Sequence, residues 1–180
     1  MDGEQVLADW TDDSVLPASV MVIRESSDNR DIWRVSGVVV GQRFASEQIR
    51  GLRIRSGPGG DIYMWQGYRL RLRRQHVNDY VLNVNSETPE LFVVARQESE
   101  GLRPLLVTLS LDEAQNLDAT DLRSVEETVH HVPMPPEVFR WLEQFVVEHY
   151  VPRKRRRKRG KRRSKALFDA EVGDWSGDGA

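Results

Sequence analysis

From residue 19 to residue 109 the chain is a succession of short apolar or alternating runs separated by turn-forming residues, the pattern of an antiparallel β protein. Ser19 to Arg24 (SVMVIR) and Ile32 to Val40 (IWRVSGVVV) are rich in β-branched residues and bounded by Pro17, Asp28-Asn29 and Gly41, so each predicts a strand. Leu52-Arg53-Ile54-Arg55 precedes Ser56-Gly57-Pro58-Gly59-Gly60, a stretch that no helix or central strand can absorb and that reads as a hairpin loop. It has neither the lysine nor the hydroxyl of a phosphate loop.

Tyr68-Arg69-Leu70-Arg71-Leu72-Arg73 alternates strictly, the period of a half-buried strand. Tyr68, Leu70 and Leu72 then point inward, and Arg69, Arg71 and Arg73, with Arg74, form a cationic outer face. Asn78 to Asn85 also alternates, with Tyr80, Leu82 and Val84 on one side, and predicts another strand. Leu91 to Arg96 and Leu105 to Leu109 continue what reads as an antiparallel meander. Leu111 to Gln115 reads as a short helix with Ser110 as its cap and Glu113 in the capping-box position. Val125 to Val132 reads as a last strand, ended by Pro133.

The clearest helix spans about 135–150, where Val138, Trp141, Leu142, Phe145, Val146 and His149 recur at spacings of three and four behind Pro136 and Glu137. The expected fold is therefore α+β. It is mainly an antiparallel sheet or partly closed barrel of about seven strands, capped by one C-terminal amphipathic helix; pleckstrin-homology-like barrels match that strand count.

Charge divides the chain. Up to Pro152 there are 15 basic and 24 acidic residues, a net −9; from Arg153 onward there are 11 basic and 4 acidic residues, a net +7. The basic run comprises Arg153, Lys154, Arg155, Arg156, Arg157, Lys158, Arg159, Lys161, Arg162, Arg163 and Lys165. Like charges at that density repel and bury nothing, so 153–180 is expected to be disordered when free, behind a globular domain at 18–152 and an acidic, flexible segment at 1–17. Such a run binds polyanions by counterion release, but no aromatic is interleaved for base stacking, so sequence-specific reading is not expected. Behind it, Leu167, Phe168, Glu171, Val172 and Trp175 would share one helical face, the pattern of a short motif that folds into a partner's groove.

Composition narrows the chemistry. With no cysteine, disulfides, thiolate nucleophiles and sulfur-based zinc sites are excluded. No run is long and apolar enough for a membrane-spanning helix, and the acidic start does not read as a leader peptide, so a cytoplasmic location is expected. Of the four histidines, His76, His130, His131 and His149, the His130-His131 pair next to Glu126-Glu127 makes the one local cluster of histidines with acids. Adjacent strand residues face opposite ways, so no metal site is expected there. No nucleophile elbow and no acid/base pair of carboxylates is present.

Five segments together carry a resemblance: Tyr68-Arg69-Leu70; Asn78-Asp79-Tyr80-Val81-Leu82-Asn83; Thr88-Pro89-Glu90-Leu91-Phe92-Val93-Val94-Ala95-Arg96; Pro133-Met134-Pro135-Pro136-Glu137-Val138; and Trp141-Leu142-Glu143-Gln144-Phe145-Val146. In these the chain resembles the proteobacterial domain-of-unknown-function family 3305, over about Ser19 to Lys158. The resemblance implies an accessory role near a molybdenum-dependent formate dehydrogenase, with that enzyme or its maturation factors as partner, and it implies no catalytic residues. The expectation from sequence is a non-catalytic accessory or adaptor protein with no cofactor. Leu167, Phe168, Val172, Trp175, Arg69, Arg71 and Arg73 are its candidate partner-binding residues, and the alternative is non-specific nucleic-acid binding through Arg153 to Lys165.

Overall fold

The computed structural model describes residues 14–27, 30–116 and 127–152. Among these, seven strands form two antiparallel sheets and three α-helices lie between and beside them. β1 (Val15–Ser27) and β2 (Arg30–Val40) pair from Ala18 opposite Val40 to Ser27 opposite Arg30. β3 (Arg50–Gly57) and β4 (Gly60–Arg71) form the hairpin expected around Pro58-Gly59, and β4 also pairs with β1, giving the order β2-β1-β4-β3. The chain thus leaves one edge of the sheet after Val40 and enters the opposite edge at Arg50.

α1 (Val77–Val84) links the sheets. β5 (Glu90–Glu98) and β6 (Gly101–Thr108) make a second hairpin, and β7 (Glu127–Pro133) joins the free side of β5, giving β6-β5-β7. Pro104 is tolerated within β6 because this is an edge strand, where a missing N–H need not break a ladder. α2 (Leu111–Gln115) follows β6, and α3 (Pro136–His149) closes the described domain. The compact unit containing these elements ends at Tyr150.

One core lies between the sheets. Ala18, Val20 and Val22 of β1, Leu70 of β4, Leu91 and Val93 of β5, Tyr80 of α1, and Val138 and Leu142 of α3 are all fully buried within it. The inward set Tyr68, Leu70 and Leu72 is buried as the alternation requires. Tyr68 carries a polar tip into this interior, where its hydroxyl donates to the Pro104 carbonyl at 2.6 Å and ties one sheet to the other. A smaller cluster of Phe92, Val94 and Ala114 fills the other side of the second sheet beneath α2.

The expectation of a strand at residues 78–85 fails, because Val77–Val84 is helical. Val77, Tyr80, Val81 and Val84 recur at helical spacing, so one stripe faces inward with Tyr80 fully buried, whereas Leu82, assigned inward by the strand reading, is 73% exposed. Asp79 in the first turn suits the helix dipole. The meander fails with it, because β4 and β5 belong to different sheets and the seven strands do not make one barrel. The other elements, including the short α2 and the final β7, lie near where the pattern places them, but β1 begins at Val15, whose buried side chain brings residues 15–17, expected to be flexible, into the sheet.

Candidate functional site

The pleat of the first sheet sends alternate residues to opposite sides. Val20, Val22, Tyr63 and Trp65 face the core. Met21 and Ile23 of β1, Ile62 and Met64 of β4, and Leu52 of β3 therefore share the other face, in register across the sheet as Leu52–Met64–Met21 and Ile62–Ile23. None of these five is buried; Leu52 is 38% exposed, and Ile54, in the irregular part of β3, is 50% exposed. The 3-10 turn Gln42–Phe44 lies next to β1.

β3 is exposed along its whole length and forms an edge of its sheet. Its sequence alternates cations and aliphatics: Arg50, Leu52, Arg53, Ile54 and Arg55. Arg50 is held by Gln66, its guanidinium donating to Oε1 at 3.2 Å. Where the hairpin turns, Asp61 is a buried carboxylate on β4 that accepts from the Arg24 guanidinium and the Tyr63 hydroxyl and faces Arg53 at 3.9 Å. The Ser56 hydroxyl bond, then Arg24 and Arg53, hold its carboxyl below the usual range against the opposing effect of burial. This charged clamp fixes β1, β4 and β3 at one end. An apolar, cation-studded edge follows.

The arginines singled out from the sequence do not form a single face. Arg69 and Arg71 alternate with buried Tyr68 and Leu70 as expected, Arg71 exposed and Arg69 half-buried beside a cleft lined by Glu47, Ile49 and Leu106. β4, however, ends at Arg71. Arg73 and Arg74 lie at and in a 3-10 turn, Arg74–His76, and Arg73 points to Glu113 at 3.7 Å. Sequence reasoning expected a hairpin here but passed over β3 as a candidate site, although it carries the more exposed cations; the signal was the Arg-x-x-Arg-x-Arg spacing interleaved with Leu52 and Ile54. Leu167, Phe168, Val172, Trp175 and the basic run Arg153 to Lys165 lie outside the described residues.

A second group of titratable residues gathers where α1 meets α2. Ser110 caps α2, its Oγ accepting from the Glu113 N–H at 3.0 Å, and the same hydroxyl donates to Asp79 Oδ2 at 2.6 Å with His76 Nδ1 at 3.5 Å. The Glu113 carboxylate accepts from the Thr108 hydroxyl instead of reaching back to Ser110, and Thr108 Oγ1 accepts the Ser110 N–H at 3.1 Å. The capping box is thus closed through Thr108. His76, Asp79 and Asp112 each offer one ligand atom within 4.8 Å of the others. Ser110 is fully buried and committed to its cap and to Asp79, so it is not poised as a nucleophile. The carrier of this cluster, His76-x-x-Asp79 at the start of α1, is legible only once 77–84 is read as a helix.

His130 and His131 sit on β7, an edge strand of the second sheet, and point opposite ways as expected. His131 Nδ1 lies 2.8 Å from Glu90 Oε2, and His130 Nε2 lies 2.9 Å from the Thr128 hydroxyl. They do not converge.

Two packed antiparallel sheets, a closing helix and a cation-studded apolar face define a small α+β domain, with no helix among the described residues long and apolar enough to cross a membrane. The chain belongs to the family described as protein of unknown function DUF3305, whose model matches residues 4–159. No curated protein and no solved structure matches it.

Proposed function

We propose that this protein is a non-catalytic adaptor that docks a protein partner on the outer face and β3 edge of its first sheet. The observation that carries this reading is the full exposure of β3 beside the half-open apolar set Met21, Ile23, Ile62 and Met64. An edge strand presents unpaired backbone N–H and C=O groups to an incoming extended segment, and the aliphatics beside it supply burial. Arg50, Arg53 and Arg55 decide what can add: a second copy pairing along this edge would set arginines against arginines, whereas an acidic segment with alternate apolar residues is complementary. Burying Leu52, Ile54 and their neighbours yields about 25 cal/mol per Å2, so a segment of ordinary strand length is enough for reversible docking.

The commitment of Ser110 to its helix cap and the separation of His130 from His131 support binding over bond-breaking. The partner implied by family resemblance is a molybdenum-dependent formate dehydrogenase or one of its maturation factors. Full-length protein and a Leu52→Asp/Ile54→Asp variant, used as bait for that enzyme system in the native cell, test the reading. Retention by the wild type and loss by the variant, at equal stability, is the expected result. Equal retention by both places docking elsewhere, and recovery of nucleic acid that washes off steeply with salt favours polyanion binding through the basic run.

A further inference from the structure

The core-facing side of the first sheet ends in a second surface feature, which meets the docking strand at Gly51. Trp33 of β2 and Tyr63 and Trp65 of β4 line an open pocket of about 230 Å3, closed on its far side by the β5–β6 hairpin with Glu98, Glu100 and Arg103. Two glycines shape it. A Cβ on Gly101, which holds φ +134°, would come within 2.7 Å of the Trp33 indole, and one on Gly51 would come within 2.9 Å of the Trp65 indole. Both rings therefore come close against bare backbone, which fixes the aromatic walls where longer side chains would push them out.

The walls and the rim point to one ligand chemistry. Trp33 and Tyr63 are in ring contact, their centroids 5.4 Å apart at 41°, so they form one bent wall and not a slot, and a rounded group packs against it better than a flat ring would. Aromatic faces attract cations, and the Arg24 guanidinium already stands 5.9 Å from the Trp33 centroid. The ionisable residues lining the pocket are two glutamates and one arginine, and Arg103 meets Glu98 at a loose 3.9 Å. The volume is below the range of roughly 300–1,000 Å3 common for sites that take a whole drug-sized ligand. It suits one compact head group.

We propose that this pocket binds a methylated or quaternary ammonium group, the cation packing against Trp33, Tyr63 and Trp65 with Glu98 and Glu100 neutralising its charge. The group is either a free small ion or the head of a methylated lysine in a peptide.

The test follows the indole N–H signals of full-length protein by two-dimensional NMR, with Trp33→Phe and Trp65→Phe used for assignment and Trp141 of α3 as internal control. The probes are tetramethylammonium, choline, a trimethyllysine peptide and 3,3-dimethylbutanol, the neutral isostere of choline. Saturable shifts of Trp33 and Trp65 with the cations are expected, with the neutral isostere about tenfold weaker or more. Glu98→Gln/Glu100→Gln, a change at exposed positions that leaves the walls intact, is expected to weaken cation binding about three- to tenfold. Tighter binding of the peptide than of the free ions supports a peptide source, and the reverse supports a small molecule. Equal binding of the neutral isostere, no saturable shift with any probe, or affinity unchanged by the double glutamate substitution overturns the proposal.

Discussion

At the scale of single residues, the interior is largely apolar, and the polar tips of Tyr68 and Tyr80 that enter it find partners. The Tyr68 hydroxyl is the case with the largest structural reach, since its bond to the Pro104 carbonyl spans the two sheets, and burial raises its pKa well above the phenol range. Tyr68→Phe keeps the ring but leaves that carbonyl unpartnered, and should cost about 1–3 kcal/mol in chemical denaturation. Tyr80 is likewise pushed up to about 12, by burial first, while its oxygen accepts the Arg73 N–H. His130 supplies the pH dependence near neutrality. Burial, then the neighbouring His131, holds its pKa below the ordinary 6.5, so the folded protein keeps the ring neutral where the unfolded chain takes up a proton. Its contribution is complete above about pH 6.5 and falls as pH drops through that value toward the lower folded one. Thermal melts of His130→Gln should show a flatter dependence across that window than the wild type. The inward placement of Tyr68 was legible from alternation alone; its partner was not, because Pro104 is 36 residues away and nothing local marks it.

At the scale of elements, the reading of 77–84 decides between two periodicities in one short run. An eight-residue segment satisfies a period of two at Tyr80, Leu82 and Val84 and a period of 3.6 at Val77, Tyr80, Val81 and Val84, and only the surroundings choose. Part of that choice is Asn83, whose side chain donates to the Glu90 and Leu109 carbonyls and accepts the Glu90 N–H, fastening α1 to the start of β5. Leu82→Gln should change stability by less than about 0.5 kcal/mol, as befits an exposed helical position, where the strand reading requires a core-sized loss. Asn83→Ala, which strands three backbone groups, should cost about 2–3 kcal/mol in the same denaturation series. Ser110 tells the opposite story. Its side-chain cap was legible from Ser110-x-x-Glu113, but the return bond runs through Thr108, a detour that sequence spacing cannot express.

At the scale of the whole molecule, the strands, the hairpin at Pro58-Gly59 and α3 could be read from local patterning, whereas the division into two sheets could not. Strand order depends on the crossing from Val40 to Arg50, which leaves β1 and β4 in the middle of their sheet and β3 outside. That topology turns an unremarkable alternating run into the most exposed strand among those described, and it places cations along the edge of a domain whose residues up to Pro152 sum to −9. The arginines of 69–73 drew notice because their alternation is perfect, yet Arg73 is spent on Glu113 and β4 stops before it. Edge strands invite pairing, and on the proposed reading Arg50, Arg53 and Arg55 select against self-pairing and favour an acidic segment. The measurement that meets this account most directly is amide hydrogen exchange of the full-length protein, alone and saturated with the protein partner captured by the wild-type bait. Slowed exchange concentrated in residues 50–57, with smaller changes at Met21, Ile23, Ile62 and Met64, is the predicted result. Protection confined to other strands, with residues 50–57 exchanging as fast as before, would contradict it.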